Sequence, residues 1–350
     1  VKYRGSAHGT NEYPFLIDAE GLSVLPVTSA DLDYRIAEGV ISTGIPGLDA
    51  MLEPGGFHRG TSILISGEAG TGKTMISSSM IDAACARGER CMAFVFEESG
   101  HQIARNARSI GLDLARHVAS GRLRFEAARP SLYGLEMHLA RMHRDIDRFA
   151  PSLVVIDPLS ALRGPPAELQ ATMVRMIDML KSRGITAVFT SLREDGEIDQ
   201  GSAIGVSSLM DAWIKLLNVE ANGERARTLY VIKARGMRHS NQLREFSMSD
   251  EGIALVDAYL GPAGVLTGTA RLVQEAEEAA AALRREQENR RRQREAGRRR
   301  LSLERQIDEL RATLEAVEEE EAVLLSEDEM REAALASERR TLATRRGGTK

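Results

Sequence analysis

The stretch Gly67-Glu68-Ala69-Gly70-Thr71-Gly72-Lys73-Thr74 narrows what this chain can fold into more than any other. It follows the apolar run Ser62-Ile63-Leu64-Ile65-Ser66 and precedes Met75 to Arg87, which reads as a helix. Strand, glycine-rich turn and helix, in that order, are the context of a phosphate loop. The glycines let backbone N–H groups face a phosphate, and the helix N-terminus adds the positive end of its dipole. The pattern predicts that Gly67, Gly70, Thr71, Gly72, Lys73, Thr74 and Met75 bind a nucleoside triphosphate. Lys73 would reach the β- and γ-phosphates, and the Thr74 hydroxyl would take a place on Mg²⁺.

The 350 residues are 43% hydrophobic with a formal net charge of −5, enough for one sizeable core plus an appendage. No run approaches the roughly 20 apolar residues of a membrane helix, and no charged-then-apolar signal segment opens the chain. These features predict a cytoplasmic protein without a membrane partner. The two cysteines, Cys85 and Cys91, fall in an expected helix and strand and read as reduced core residues. The seven histidines show no metal-ligand spacing, so no transition-metal site is expected.

Residues 1–25 repeat residues 232–256 without a gap. Lys2, Arg4, Gly5 and His8 fall on Lys233, Arg235, Gly236 and His239, Phe15 on Phe246, and Glu20-Gly21 on Glu251-Gly252. Internal repetition explains so many matches at one offset. The chain is therefore expected to begin with the terminal strands of a preceding, truncated copy of its main domain, with residues 26–41 as a linker.

From Ile41 onward, strand-like and helix-like runs alternate through Ser191, with strands at Cys91–Phe96, Leu123–Ala127, Leu153–Asp157 and Ile185–Ser191. Alternation of this kind predicts an α/β fold, a mainly parallel sheet with helices on both faces. From about residue 204 the strands crowd together (Met210–Val219, Thr228–Ala234, Arg244–Ser249, Ile253–Val256), which predicts an antiparallel extension of that sheet.

Beyond Gly261-Pro262, residues 268–346 carry no proline and read as one long α-helix. Leu303, Ile307, Leu310, Leu314, Val317 and Leu324 give a short heptad seam, so a partner helix is expected. Nine arginines crowd residues 284–300, and acidic side chains crowd 315–332. A solvated helix and nucleic-acid binding are both open readings, although the acidic block would repel phosphate. An antiparallel coiled coil of two copies places each basic block opposite an acidic one, whereas a parallel pair stacks like charges. This arrangement would join two molecules or two rings.

Three further groups of residues bear on chemistry. Leu153-Val154-Val155-Ile156-Asp157 is an apolar strand ending in an acid, placing Asp157 to hold Mg²⁺. Glu97-Glu98 ends another strand, expected beside the phosphate-loop strand, where a carboxylate can orient or deprotonate an attacking hydroxyl; an acidic pair capping the next helix is the bland alternative. Lys233 and Arg235 share one side of a strand, and Arg227, six residues earlier, is expected on the same face. Such cations form either a solvated edge or a clamp for phosphate.

Taken together, Ile41-Ser42-Thr43-Gly44, the phosphate loop, Phe96-Glu97-Glu98-Ser99, Ile156-Asp157-Pro158-Leu159-Ser160-Ala161-Leu162 and Lys233-x-Arg235-Gly236 resemble the second domain of the KaiC family. These are circadian-clock ATPases and autokinases of the RecA/DnaB superfamily, and the likeness covers about residues 1–260. It implies a RecA-like ATPase and kinase domain over residues 42–260, with ATP or ADP and Mg²⁺ held between the subunits of a homo-hexamer. The resemblance makes Glu97 the general base assisted by Glu98, gives Mg²⁺ to Thr74, Glu97 and Asp157, and sends Arg227, Lys233 and Arg235 to the neighbour's nucleotide. The family's phosphorylated Ser-Thr pair falls on Ser207 and Ser208, with Ser202 matching a further hydroxyl. The long C-terminal helix departs from the short tail that binds KaiA, so the likeness implies a KaiB-like regulator rather than KaiA, and coiled coils could pair two hexamers into a dodecamer. A DNA-acting RecA/DnaB-type motor and a scaffold without kinase activity are the alternatives. Against the motor, the expected pore loop Leu192 to Asp199 is net acidic.

Overall fold

A computed structural model of the chain describes residues 15–18, 21–24, 37–129, 134–192, 206–221, 224–257, 259–261, 264–266 and 268–346. Residues 1–14, the linker through residue 36, the expected pore loop beyond Leu192 and Ser202 lie outside them. The chain divides into two units, residues 1–272 and residues 273–350.

The strands of the first unit are β1 (Phe15–Asp18), β2 (Gly21–Val24), β3 (Val40–Ile41), β4 (Leu52–Glu53), β5 (Phe57–His58), β6 (Ser62–Gly67), β7 (Cys91–Val95), β8 (Leu123–Ala127), β9 (Leu153–Asp157) and β10 (Thr186–Leu192). They continue with β11 (Ala212–Ala221), β12 (Glu224–Ala234), β13 (Arg238–His239), β14 (Arg244–Ser249), β15 (Gly252–Asp257), β16 (Tyr259–Gly261) and β17 (Gly264–Leu266). Between them run α1 (Pro46–Asp49), α2 (Lys73–Ala86), α3 (Gly100–Arg108), α4 (Leu114–Ala119), α5 (Leu135–Phe149), α6 (Pro166–Ser182) and α7 (Val206–Leu209). The last helix, α8, spans Gly268–Arg346.

Nine strands form the central sheet in the order β15-β14-β12-β11-β6-β10-β9-β7-β8. β6, β7 and β9 are buried along their whole length, as strands covered on both faces must be. On one face α2, α3 and α4 pack over Ile63, Ile65, Val155 and Ile214, and on the other α5 and α6 cover Leu64, Phe94, Ile156 and Phe189. Cys85 and Cys91 are buried, free thiols within the first of these cores, as the sequence predicts.

Two sequence expectations need correction here. The antiparallel extension begins one strand later than expected, because β11 pairs with β6 in parallel and only β12, β14 and β15 run antiparallel. Nor does the strand ending at Glu97-Glu98 neighbour the phosphate-loop strand. β10 and β9 lie between β6 and β7, since chain order does not dictate strand order in a crossover topology.

The internal repeat has a structural counterpart. Phe15, Leu16, Ile17 and Asp18 pair with Val24, Ser23, Leu22 and Gly21, and at the same offset Phe246, Ser247, Met248 and Ser249 pair with Leu255, Ala254, Ile253 and Gly252. The turn glycines Gly21 and Gly252 carry nearly the same positive φ, 110° and 112°.

The second unit is the body of α8. The large apolar residues recorded along it, including Leu303, Ile307, Leu310, Leu314, Val317 and Leu324, are all exposed. Part of its arginine block is occupied within the helix by i,i+4 pairs, Arg290–Glu286, Arg291–Glu295, Arg292–Glu288 and Arg300–Glu304. Among the described residues no helix is long and apolar enough to cross a membrane.

Candidate active site

The phosphate loop folds as its glycines require. Gly70 and Gly72 adopt φ of +75° and +102°, a region costly for residues with a Cβ, and the turn delivers the chain into α2. Gly72 is the N-cap of that helix and no side chain caps it. The Met75 amide donates to the Gly72 carbonyl at 3.0 Å, so the Lys73 and Thr74 amides are the ones that face an anion. The nearby stretch Ser42 to Asp49 braces α2 from behind. The Asp49 carboxylate accepts hydrogen bonds from the Thr43 amide at 2.8 Å and the Thr43 hydroxyl at 2.7 Å. Gly44 there approaches α2 so closely that a Cβ would lie 2.7 Å from the Ser79 carbonyl oxygen.

The Lys73 Nζ donates to the Gly67 carbonyl at 2.9 Å and the Glu68 carbonyl at 2.6 Å, folding back over the loop's own backbone. Burial pulls its pKa below the ordinary lysine value, against the raising fields of the Asp157, Glu97 and Glu68 carboxylates. The sheet's carboxyl edge thus gathers Lys73, Asp157 and Glu97 although β6 and β7 are not neighbours. The backbone connects the last two, since the Phe96 amide donates to the Asp157 carbonyl at 3.0 Å.

Glu97 and Glu98 are both exposed. Glu98 accepts from the Asn106 side chain at 3.1 Å, while helix α3 is capped by Ser99 in a reciprocal capping box with Gln102. The acidic pair is therefore not the cap. Asp157 is buried, and its Oδ1 accepts from the hydroxyl of fully buried Thr190, one position beyond the Phe189–Ile156 pair on β10. Sequence reasoning missed Thr190. Its only signal is a hydroxyl within an apolar strand, at a height fixed by a register that the sequence does not give.

The donor set fits a magnesium nucleotide. Uncapped helix amides and an ammonium suit phosphate oxygens, and the Thr74 hydroxyl with the Asp157 carboxylate are the hard oxygen ligands Mg²⁺ prefers. Among the described residues no three His, Cys, Asp or Glu side chains cluster as a metal cage. Mg²⁺ needs none, because it usually retains waters and phosphate oxygens among its ligands.

The three expected cations do not point one way. Pairing between β11 and β12 shifts at Trp213/Ile214, where Trp213 meets Lys233 but Ile214 meets Val231, so Ile232 is a bulge. The extra residue inverts the side-chain alternation. Arg227 pairs with Phe246 of the α2-side core, while Lys233 pairs with Trp213, which packs on the opposite core. Arg227 Nε donates to the Gly70 carbonyl of its own phosphate loop at 3.3 Å.

Lys233 and Arg235 stand at the other end of the sheet. Ala234 pairs with Ala212, and Ala212 with Ile63, near the start of the strand whose far end is Gly67. Ser62 and Gly67 are the first and last residues of β6, five steps of strand apart or roughly 16 Å. The same floor holds the serine pair. Ser207 and Ser208 lie in α7, Ser208 is exposed, and its carbonyl accepts from Arg235 Nη2 at 2.8 Å. Asp211 ties this segment down. Its carboxylate accepts from the Ser62 amide at 2.9 Å and pairs with Lys181 at 2.8 Å. Burial and the adjacent Arg235 charge lower the Lys233 pKa, as expected where cations crowd.

The arrangement agrees with the comparisons to known proteins. The family model "ATPase: KaiC" matches residues 41–258. "Circadian clock protein KaiC2" of Synechocystis sp. (strain ATCC 27184 / PCC 6803 / Kazusa) is 47% identical over 342 residues, covering 96% of this chain and 60% of that protein. An alignment of that length takes in most of α8. "Circadian clock oscillator protein KaiC" of Parathermosynechococcus lividus is 35% identical over 281 residues, 79% of this chain and 52% of that one. "Circadian clock protein KaiC3" of the same Synechocystis strain is 33% identical over 283 residues, 79% and 55%. The chain thus spans between half and three-fifths of the length of these relatives. It belongs to the KaiC ATPase family.

Proposed function

We propose that the chain is an ATP-dependent serine autokinase with slow ATPase activity, working as a timing protein in a ring whose nucleotide sits between subunits. The observation that carries this reading is the two-ended sheet. The phosphate loop, Asp157 and Glu97 occupy the carboxyl edge, while Ser207, Ser208, Lys233 and Arg235 occupy the amino edge. Within one chain these groups cannot meet across the strand length between them. A neighbour's amino edge facing this chain's carboxyl edge completes the site, as an arginine finger does in other nucleotide-dependent rings.

In this reading the α2 N-terminus and Lys73 hold the ATP phosphates, and Thr74, Glu97 and Asp157 hold Mg²⁺. The metal supplies charge neutralisation for the transferring phosphoryl group. Glu97 takes the proton from the hydroxyl of the neighbour's Ser207 or Ser208 with support from Glu98. The serine oxygen bonds the γ-phosphorus as the bond from that phosphorus to the bridging oxygen breaks, and ADP leaves. Lys233 and Arg235, from the same neighbour, stabilise the charge that develops on the departing phosphates. Arg227, the third cation assigned to the neighbour's nucleotide, donates to the Gly70 carbonyl of its own phosphate loop in the single chain.

The names of the relatives support the timing role, and the family resemblance supports a homo-hexamer regulated by a KaiB-like partner. The exposed seam of α8 supports pairing with a second copy, its basic block of residues 284–300 against the acidic block of 315–332, so that two hexamers join as a dodecamer. Native mass measurement with and without residues 268–350 checks this, and an unchanged assembly size would count against it.

Intact-mass measurement after incubation with Mg²⁺ and ATP tests the kinase reading. Additions of phosphate mass are expected, lost in Ser207→Ala with Ser208→Ala although ATP hydrolysis continues. Continued labelling in Glu97→Gln with Glu98→Gln would refute the assigned base.

A further inference from the structure

Asp157 has a partner for which the phosphate-loop reading makes no provision. The carboxylate ends β9, and on the adjacent parallel strand β10 Thr190 sits at the corresponding height with its side chain fully buried. The Thr190 hydroxyl donates to Asp157 Oδ1. Two properties suit this residue to the place. Its branched Cβ leaves few rotamers in a strand, so the donor is held stiffly. It is also neutral, so it holds the carboxyl group without the positive charge that a lysine or arginine would set against a divalent cation.

We propose that Thr190 is a positioning residue for Mg²⁺: by holding one oxygen of Asp157 it orients the carboxylate toward the metal of a bound nucleotide. The proposal rests on the magnesium-nucleotide reading above but not on the kinase step. Partners in the outer shell of metal ligands govern ligand orientation, and their loss typically weakens metal affinity about 10- to 100-fold.

The test uses the full chain with ADP as probe, so that neither hydrolysis nor phosphoryl transfer enters. Calorimetric titration gives the ADP dissociation constant with Mg²⁺ and with excess chelator, and the ratio of the two measures the metal's contribution. In Thr190→Val, which keeps the shape and removes the donor, that ratio should fall about 10- to 100-fold, and Thr190→Ser should restore most of it. A ratio in Thr190→Val equal to that of the wild type would overturn the proposal, as would a Thr190→Ser protein as defective as Thr190→Val. Should Thr190→Val fail to fold, Thr190→Ala is compared with Thr190→Ser in the same titrations, with the same two outcomes deciding. No Mg²⁺ effect on ADP binding in the wild type would overturn the underlying metal reading and this proposal together. A normal Mg²⁺ effect without any phosphoserine would leave Thr190 standing and remove only the kinase.

Discussion

Replacing Asp211 by Asn tests how the floor of the sheet holds the serine pair. The Asp211 and Lys181 side chains are only 16% and 15% exposed and pair at 2.8 Å, and Asp211 also accepts from the Ser62 amide at 2.9 Å. Asparagine can still accept from Ser62, but its neutral amide leaves the Lys181 ammonium without its counter-charge. Breaking a fully buried pair costs about 3–5 kcal/mol, and the residual exposure reduces this to roughly 2–3 kcal/mol. For a domain of this size that corresponds to a drop of roughly 5–10 °C in the melting midpoint. Adding Lys181→Met removes the stranded charge, so the double variant should recover part of the loss. Nucleotide affinity should change little, because the phosphate loop lies at the opposite end of β6, while serine labelling should fall. Thermal melts and ADP titrations of the four proteins in this cycle provide the measurements. A double variant no more stable than Asp211→Asn, or an ADP affinity that falls as far as labelling does, would refute the reasoning.

Two further outcomes follow from the same structure. Lys73→Ala deletes the ammonium that bonds two loop carbonyls and would bond phosphate oxygens, charge-assisted contacts worth about 1.5–3 kcal/mol each. ATP affinity should fall by about 100-fold or more in direct binding measurements, with a melting midpoint close to the wild type without nucleotide. The Glu89 carboxyl is held down from 4.5 to about 2, chiefly by its hydrogen bond from Arg59, against burial and with help from Arg87 and Ser152. Because the folded value is depressed, its stabilisation is present above about pH 4.5 and is lost as pH falls toward about 2. Glu89→Gln should therefore flatten this part of the acid melting profile by about 1 kcal/mol after allowance for solvent screening, the two curves converging near the acid end.

The sequence was most informative where its signals are local. The phosphate loop announced itself through glycines at fixed offsets, and β8, β9 and β14 span the residues expected of them, β9 through its apolar run. The pairing of β1 with β2 has the same register, at the offset of the sequence repeat, as the pairing of β14 with β15. What escaped was set by neighbours distant in the chain. The bulge at Ile232 leaves no mark on the alternation of Arg227 and Lys233, yet it sends them to opposite faces. The insertion of β10 and β9 between β6 and β7 is a matter of crossover topology. Helix α4, six residues long, has too short a pattern to stand out from a loop. Thr190 became recognisable only when the β9–β10 register set it against Asp157.

The central claim is that each site is completed by the neighbouring subunit. Co-expression of two mass-distinguishable chains tests it, one Lys73→Ala with its serines intact, the other Ser207→Ala with Ser208→Ala and its phosphate loop intact. Each chain alone should stay free of phosphate. In the mixed ring, phosphate should appear on the Lys73→Ala chain, transferred by a neighbour's loop onto its Ser207 or Ser208. A properly assembled mixed ring that carries no phosphate on either chain would contradict the account.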